Sequence, residues 1–130
     1  MPKKPFTYIS LFSCAGVGCY GFMQAGFQCV ATNELLPRRI AIQKLNHKCS
    51  RDEGYICGDI TLDGTKQLIF DEIKWWQENR NISEIDVVVA TPPCQGMSIF
   101  NHKKNIRDIE RNSLVIESLN IVKQIQPKFF

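Results

Sequence analysis

The sequence has no Cys-x-x-Cys pair, and its six cysteines, at 14, 19, 29, 49, 57 and 94, fit no zinc-ligand spacing. Zinc-stapled small domains are therefore set aside, and no metal is expected. An even cysteine count still allows a disulfide framework, which would need a secretory route. The nearest thing to a signal core is Phe6 to Phe12, behind Lys3 and Lys4, where Leu11-Phe12-Ser13-Cys14-Ala15-Gly16 imitates a lipoprotein cleavage site. That stretch is barely seven residues and is broken by Thr7, Tyr8 and Ser10, at the short limit for such a core. No run approaches the length of a membrane span. The thiols accordingly read as reduced and mostly core-filling, and the protein as cytoplasmic, with no membrane partner. Repeats, low-complexity tracts and linkers are also missing, so 130 residues make one domain or part of one.

Strong charge is lacking too. A formal net charge of +3 is too small to establish a nucleic-acid partner by itself. Its distribution says more, because His102, Lys103, Lys104, Arg107 and Arg111 crowd one segment. From charge alone that segment reads as a solvated loop.

What is present is alternation. With 44% apolar residues, the chain reads as an α/β globule. Tyr8 to Ser13 is a first strand, followed by the small-residue turn Cys14-Ala15-Gly16-Val17-Gly18 and a helix through Phe22 that stops near Gly26. Phe27 to Asn33 is a second strand, and Leu36 to Leu45 a second helix opened by Pro37. Tyr55 to Ile60 is a short third strand. A third helix over Gln67 to Trp76 carries Leu68, Ile69, Ile73 and Trp76 at helical spacing. Asp86 to Ala90 is the fourth strand, and Leu114, Val115, Leu119, Val122 and Ile125 mark a last amphipathic helix. Pro127-Lys128-Phe129-Phe130 resembles the approach to a fifth strand. Right-handed crossovers then predict a parallel sheet with helices on both faces.

The segment Asp86-Val87-Val88-Val89-Ala90-Thr91-Pro92-Pro93-Cys94 is the most pointed. Three valines predict a strand buried on both faces, as in the middle of a parallel sheet. Two prolines stop it, since they donate no ladder hydrogen bond. Cys94 follows at the carboxyl end of the strand, the edge at which open α/β sheets hold ligands. A thiol there is nucleophilic and close to its thiolate. A proline-rich turn with an inert cysteine is the plain alternative.

Gly16, Gly18 and Gly21 form a loose glycine pattern after the first strand, weak alone. Glu34 ends the second strand, 18 residues after Gly16, where an acid accepts hydrogen bonds from ribose hydroxyls in nucleotide-binding folds. Asp59 stands at the tip of the third strand. A single such acid is commonly a cap or turn residue. Two of them flanking a glycine turn favour an adenosine-type ligand.

These segments together resemble the cytosine-5 DNA methyltransferases, particularly the bacterial restriction-modification type. Leu11-Phe12-Ser13-Cys14-Ala15-Gly16-Val17-Gly18-Cys19-Tyr20-Gly21-Phe22-Met23-Gln24-Ala25-Gly26-Phe27 is similar to the family's S-adenosylmethionine turn, with Cys14 and Val17 where glycine is frequent. Glu34 matches the ribose acid, Asp59-Ile60 the pair beside the adenine, and Pro92-Pro93-Cys94-Gln95-Gly96-Met97-Ser98 the catalytic signature. Arg111-Asn112-Ser113-Leu114 resembles a later motif whose leucine borders the cofactor.

The resemblance implies a Rossmann-like methyltransferase fold with sheet order 3-2-1-4, S-adenosylmethionine as cofactor and double-stranded DNA as substrate. It assigns the cofactor to Phe12, Ser13, Ala15, Gly16, Glu34, Leu35, Asp59, Ile60, Pro93 and Leu114. Cys94 becomes the nucleophile that adds to carbon 6 of a flipped cytosine. Gln95 and Ser98 fall on the loop that closes over DNA, and Lys103, Lys104 and Arg107 meet phosphates. The family's next signature, a Glu-Asn-Val that follows a Pro-Lys-Phe-Phe-like strand, and its target-recognition region are not in these 130 residues. The expectation is therefore an N-terminal portion of the catalytic domain, truncated before the later strands. Such a chain is expected to be inactive alone, whether it is an excised piece of a longer enzyme or one half of a split enzyme completed by a complementary C-terminal polypeptide, and its sheet edge invites self-association. An RNA methyltransferase of the same fold and a non-enzymatic nucleotide-binding module remain open alternatives.

Overall fold

The computed structural model describes the backbone of residues 4–93 and 106–130, and the side chains of 4–93 and 113–130. Four parallel strands, β1 (Thr7–Leu11), β2 (Gln28–Glu34), β3 (Tyr55–Cys57) and β4 (Val87–Ala90), form one sheet in the order β3-β2-β1-β4. The parallel direction is the one the alternation implied, and the order is the one the family resemblance implied. The helices are α1 (Tyr20–Gln24), α2 (Pro37–Leu45), α3 (Asp63–Asn79) and α4 (Ile106–Ile125).

Helices cover both faces of the sheet. On one, Ile69, Ile73 and Trp76 of α3 and Ile121 and Val122 of α4 pack with Ile9, Leu11, Val30, Ile56 and Val88. On the other, Tyr8, Cys19, Cys29 and Cys49 form a smaller core with Phe22 and Phe27 packed against it. Cys19, Cys29 and Cys49 are buried free thiols, whereas Cys14 and Cys57 are exposed, so core-filling accounts for three of the five described cysteines. Cys29 and Cys49 stand opposite each other in an isolated parallel bridge. Burial works against the Cys29 thiolate, but hydrogen bonds from the Cys49 thiol and Tyr8, with the charge of Lys48, lower its pKa overall; Cys49, the donor side of that pair, is pushed up.

Three sequence expectations change. In β4 only Val88 is buried, while Val87 and Val89 are half-covered, because the second face is roofed chiefly over β1 and β2. Leu68 and Leu119 are 53% and 51% exposed, since the buried stripes run through Thr65, Ile69, Glu72, Ile73 and Trp76 on α3 and through Ser118, Ile121 and Val122 on α4. The third strand ends at Cys57 rather than Ile60, because Gly58, Asp59 and Ile60 turn out of the sheet.

At the β4 edge, Phe129 N–H donates to Asp86 O (2.9 Å) and Val88 N–H to Phe129 O (3.0 Å), the first rung of a further parallel pairing. Among the described residues no helix is long and apolar enough to cross a membrane, and no cluster of three metal-ligating side chains occurs.

Candidate cofactor cleft at the strand ends

β1, β2 and β3 all deliver their carboxyl ends to one edge, and the turn after β1 is built to stay open there. Phe12, Cys14 and Gly16 all have positive φ (54°, 50° and 86°). A left-handed conformation costs an L-residue about 1–2 kcal/mol, so two departures at non-glycine positions, Phe12 and Cys14, mark stored strain. Short bonds hold it: Ser13 N–H to Asn33 O (3.1 Å), Gly16 N–H to Ser13 O (2.9 Å) and Cys14 N–H to Glu34 Oε2 (2.8 Å).

Glu34 is 5% exposed at the end of β2. Its Oε2 accepts from Cys14, and its Oε1 accepts from Leu36 N–H (3.1 Å) and faces Arg39 Nη1 (3.4 Å). Two backbone donors fix the direction of this buried carboxylate. Beside it, Asn33 Nδ2 donates to Ile56 O (3.0 Å) and Gly58 O (3.1 Å), which sets the exit path of β3. Asp59 lies in the resulting turn, where its Oδ1 accepts from Thr61 N–H (2.9 Å) and Thr61 hydroxyl (2.7 Å). The turn-residue role weighed from sequence is thus real, and it coexists with a position on the cleft.

Phe12, Glu34, Leu35, Asp59, Ile60, Pro93 and Leu114 line one cavity of about 400 Å³, together with Cys14, Asn33, Arg39, Gly58 and Thr91. Ser13 lines a neighbouring cavity of about 200 Å³ that shares Phe12, Cys14 and Thr91 with the first. Ala15 and Gly16 do not face this cleft. They line a separate cavity of about 340 Å³ on the other side of the turn, because the chain reverses at Gly16 and passes into a short 3-10 segment, Val17–Cys19. The structure thus does not bring Ala15 and Gly16 together with Glu34 on one cavity.

Cys94, Gln95, Ser98, Lys103 and Lys104 lie outside the described residues. Arg107 falls in the first turn of α4 rather than in a loop, and its side chain is likewise outside them. Pro93, the residue before Cys94 in sequence, is on the cleft.

Sequence reasoning missed Gln43. It is fully buried in α2 and reaches the turn with two hydrogen bonds, to Ser13 Oγ (2.8 Å) and Cys14 O (2.6 Å). The available signal was a polar residue three positions after Ile40, on the buried face of the helix.

The profile of the C-5 cytosine-specific DNA methylase family matches residues 6–130. The chain belongs to that family. Its parallel 3-2-1-4 sheet is the Rossmann-like fold of these S-adenosylmethionine-dependent enzymes. Curated relatives include Type II methyltransferase M.AquIA of Picosynechococcus sp., 38% identical over all of this chain and 47% of the relative. Type II methyltransferase M1.HphI of Haemophilus parahaemolyticus is 34% identical over 95% of this chain and 31% of its own length. Type II methyltransferase M1.HgaI of Avibacterium volantium is 31% identical over 98% and 34%. The chain spans about a third to a half of the length of these relatives.

The residues on the cleft fit the family's cofactor. A buried carboxylate at a strand end suits ribose hydroxyls, and Phe12, Ile60 and Leu114 give an adenine apolar walls, in a space within the range of small-molecule sites.

Proposed function

We propose that this chain carries the S-adenosylmethionine site and the catalytic cysteine of a cytosine-5 DNA methyltransferase of restriction-modification type, acting on double-stranded DNA. The observation that carries the reading is the convergence of Glu34, Asp59, Phe12 and Pro93 on one cavity at the strand ends, in a chain of this family. Glu34 accepts the ribose hydroxyls, Asp59 and Ile60 border the adenine with Leu114, and Leu35 and Pro93 close the walls. S-adenosylmethionine, when bound, supplies a methyl group on an electrophilic sulfonium.

Cys94 does the covalent work. Its thiolate adds to carbon 6 of a cytosine flipped out of the duplex, forming a C–S bond and making carbon 5 nucleophilic. Once carbon 5 carries the methyl group, its proton passes to solvent water, the C–H electrons re-form the 5,6 double bond, and the C–S electrons return to sulfur, releasing the Cys94 thiolate. Gln95 and Ser98 contact the DNA near the flipped base, and Lys103, Lys104 and Arg107 neutralise phosphates.

The curated relatives are two to three times longer than the region they share with this chain, which supports a further proposal. Methyl transfer draws on regions that these relatives carry beyond the shared stretch.

The test is covalent trapping. The chain is incubated with S-adenosylmethionine and a duplex containing 5-fluorocytosine, with and without a polypeptide equivalent to the rest of a relative, and intact masses are read. A Cys94-dependent DNA adduct that needs the second polypeptide is expected. An adduct that persists in Cys94→Ser, or one formed with RNA and not DNA, contradicts the reading.

A further inference from the structure

The turn after β1 holds three left-handed residues in five positions and is nonetheless tightly bonded from beneath. The centre of that support is Gln43, at 0% exposure. Its Nε2 lies 2.8 Å from Ser13 Oγ and 2.6 Å from Cys14 O, and its Oε1 lies 2.7 Å from Thr32 Oγ1. The Thr32 hydroxyl is also 2.7 Å from Ser13 Oγ and receives Lys48 Nζ at 3.2 Å, while Ser13 Oγ donates to Asn33 O at 3.0 Å. One amide therefore ties α2 and β2 to two successive residues of the turn. The fit is close on the far side as well, since a Cβ at Gly16 would stand 3.1 Å from Gln43 Cγ.

We propose that Gln43 is the positioning residue of the cofactor turn. By fixing Ser13 and Cys14 O, it sets the direction of the Cys14 N–H that Glu34 accepts, and so holds the Glu34 carboxylate in place for the ligand. This rests on the reading of the cleft as the S-adenosylmethionine site. The physical logic is preorganisation. A strained turn relaxes toward ordinary backbone angles unless its surroundings over-determine it, and a ligand must then supply the ordering free energy. An apolar residue of the same length fills the space but holds neither the carbonyl of Cys14 nor the hydroxyl of Ser13.

The experiment compares wild type, Gln43→Met and Glu34→Ala by calorimetry with S-adenosylmethionine, and follows amide hydrogen exchange of Cys14, Gly16, Ile9 and Val30. In Gln43→Met, binding is expected to weaken tenfold or more, and exchange at Cys14 and Gly16 to accelerate at least tenfold. Ile9 and Val30, in the sheet centre, report global stability and should change far less. A merely structural role accelerates all four amides together. Wild type itself provides a check independent of the variant's folding: without ligand, Cys14 and Gly16 must already exchange slowly.

Unchanged affinity in Gln43→Met with weakened binding in Glu34→Ala overturns the role of Gln43 and leaves the cleft assignment standing. Binding that neither substitution alters, or no binding by wild type, overturns the cleft assignment and this inference with it. Fast exchange at Cys14 and Gly16 in ligand-free wild type also overturns it, because the turn is then not preformed.

Discussion

The backbone N–H of Cys14 donates to Glu34 Oε2 at 2.8 Å, so the carboxylate that faces the cleft is aimed by the turn that forms its opposite wall. Glu34 also accepts Leu36 N–H at the entry to α2. Its removal therefore acts twice, on the ligand and on the turn. Glu34→Ala is expected to weaken S-adenosylmethionine binding by about 1–3 kcal/mol, the cost of a lost buried hydrogen-bonded acceptor. Glu34→Gln, which keeps one acceptor, should lose less. Calorimetry showing equal affinity in all three proteins contradicts the assignment.

Cys14 is exposed, lines the cleft and lies 3.8 Å from Arg39 Nη1. Alkylation of its thiol should slow when S-adenosylmethionine is bound, read by peptide mass after a timed reaction. Cys57, exposed but not on the cleft, is the internal control and should be unaffected. Equal rates at Cys14 with and without ligand place the ligand elsewhere.

Backbone strain at the same residue gives a separate expectation. Cys14 has φ 50°, which glycine adopts freely. Cys14→Gly relieves about 1–2 kcal/mol of left-handed strain and loses about 0.4–1 kcal/mol through a more flexible unfolded chain. The net change expected in urea unfolding is a small stabilisation, and a clear destabilisation refutes the strain argument.

Asp86 ties the start of β4 to the start of β1. Its Oδ2 accepts from Thr7 N–H (2.8 Å) and Thr7 hydroxyl (3.1 Å), and its Oδ1 from Lys128 Nζ (2.6 Å). Burial opposes the charged form, but these hydrogen bonds outweigh it and hold the carboxyl below its ordinary range. A carboxylate whose folded pKa is depressed contributes fully above its unfolded pKa, and the contribution is lost as pH falls through that value to the folded one. Stability should therefore decline below about pH 4, the ordinary carboxylate value, and less so in Asp86→Asn. Urea unfolding at pH 7 and pH 3 measures this, and identical pH sensitivity in both proteins counts against it.

Phe129 and Phe130 are 70% and 80% exposed beside the β4 edge, where pairing has only one rung. An apolar sheet edge recruits further strands. The chain alone should self-associate with rising concentration in sedimentation, and Phe129→Ser with Phe130→Ser should shift it toward monomer. A monomer at all concentrations removes this expectation.

Much of this was legible in sequence for a definite reason. The parallel strands and the acids at their ends follow from hydrophobic period, prolines and glycines, which act locally, and the strand order from the family resemblance. The direction of Ala15 and Gly16 did not, because the reversal at Gly16 depends on a left-handed φ that no pattern of residue types specifies. Nor did the half-coverage of Val87 and Val89, since an apolar run states what a strand tolerates and not what lies above it. Gln43 was hidden by its amphipathic setting: its function lies in contacts with residues 29 and 30 positions away.

The most direct test is a crystal structure of this chain with S-adenosylhomocysteine. The adenosine is expected in the cavity between Phe12, Asp59 and Leu114, with both ribose hydroxyls within hydrogen-bonding distance of Glu34. Adenosine seated instead in the cavity lined by Ala15, Gly16 and Lys48, or no ligand in either at saturating concentration, contradicts it.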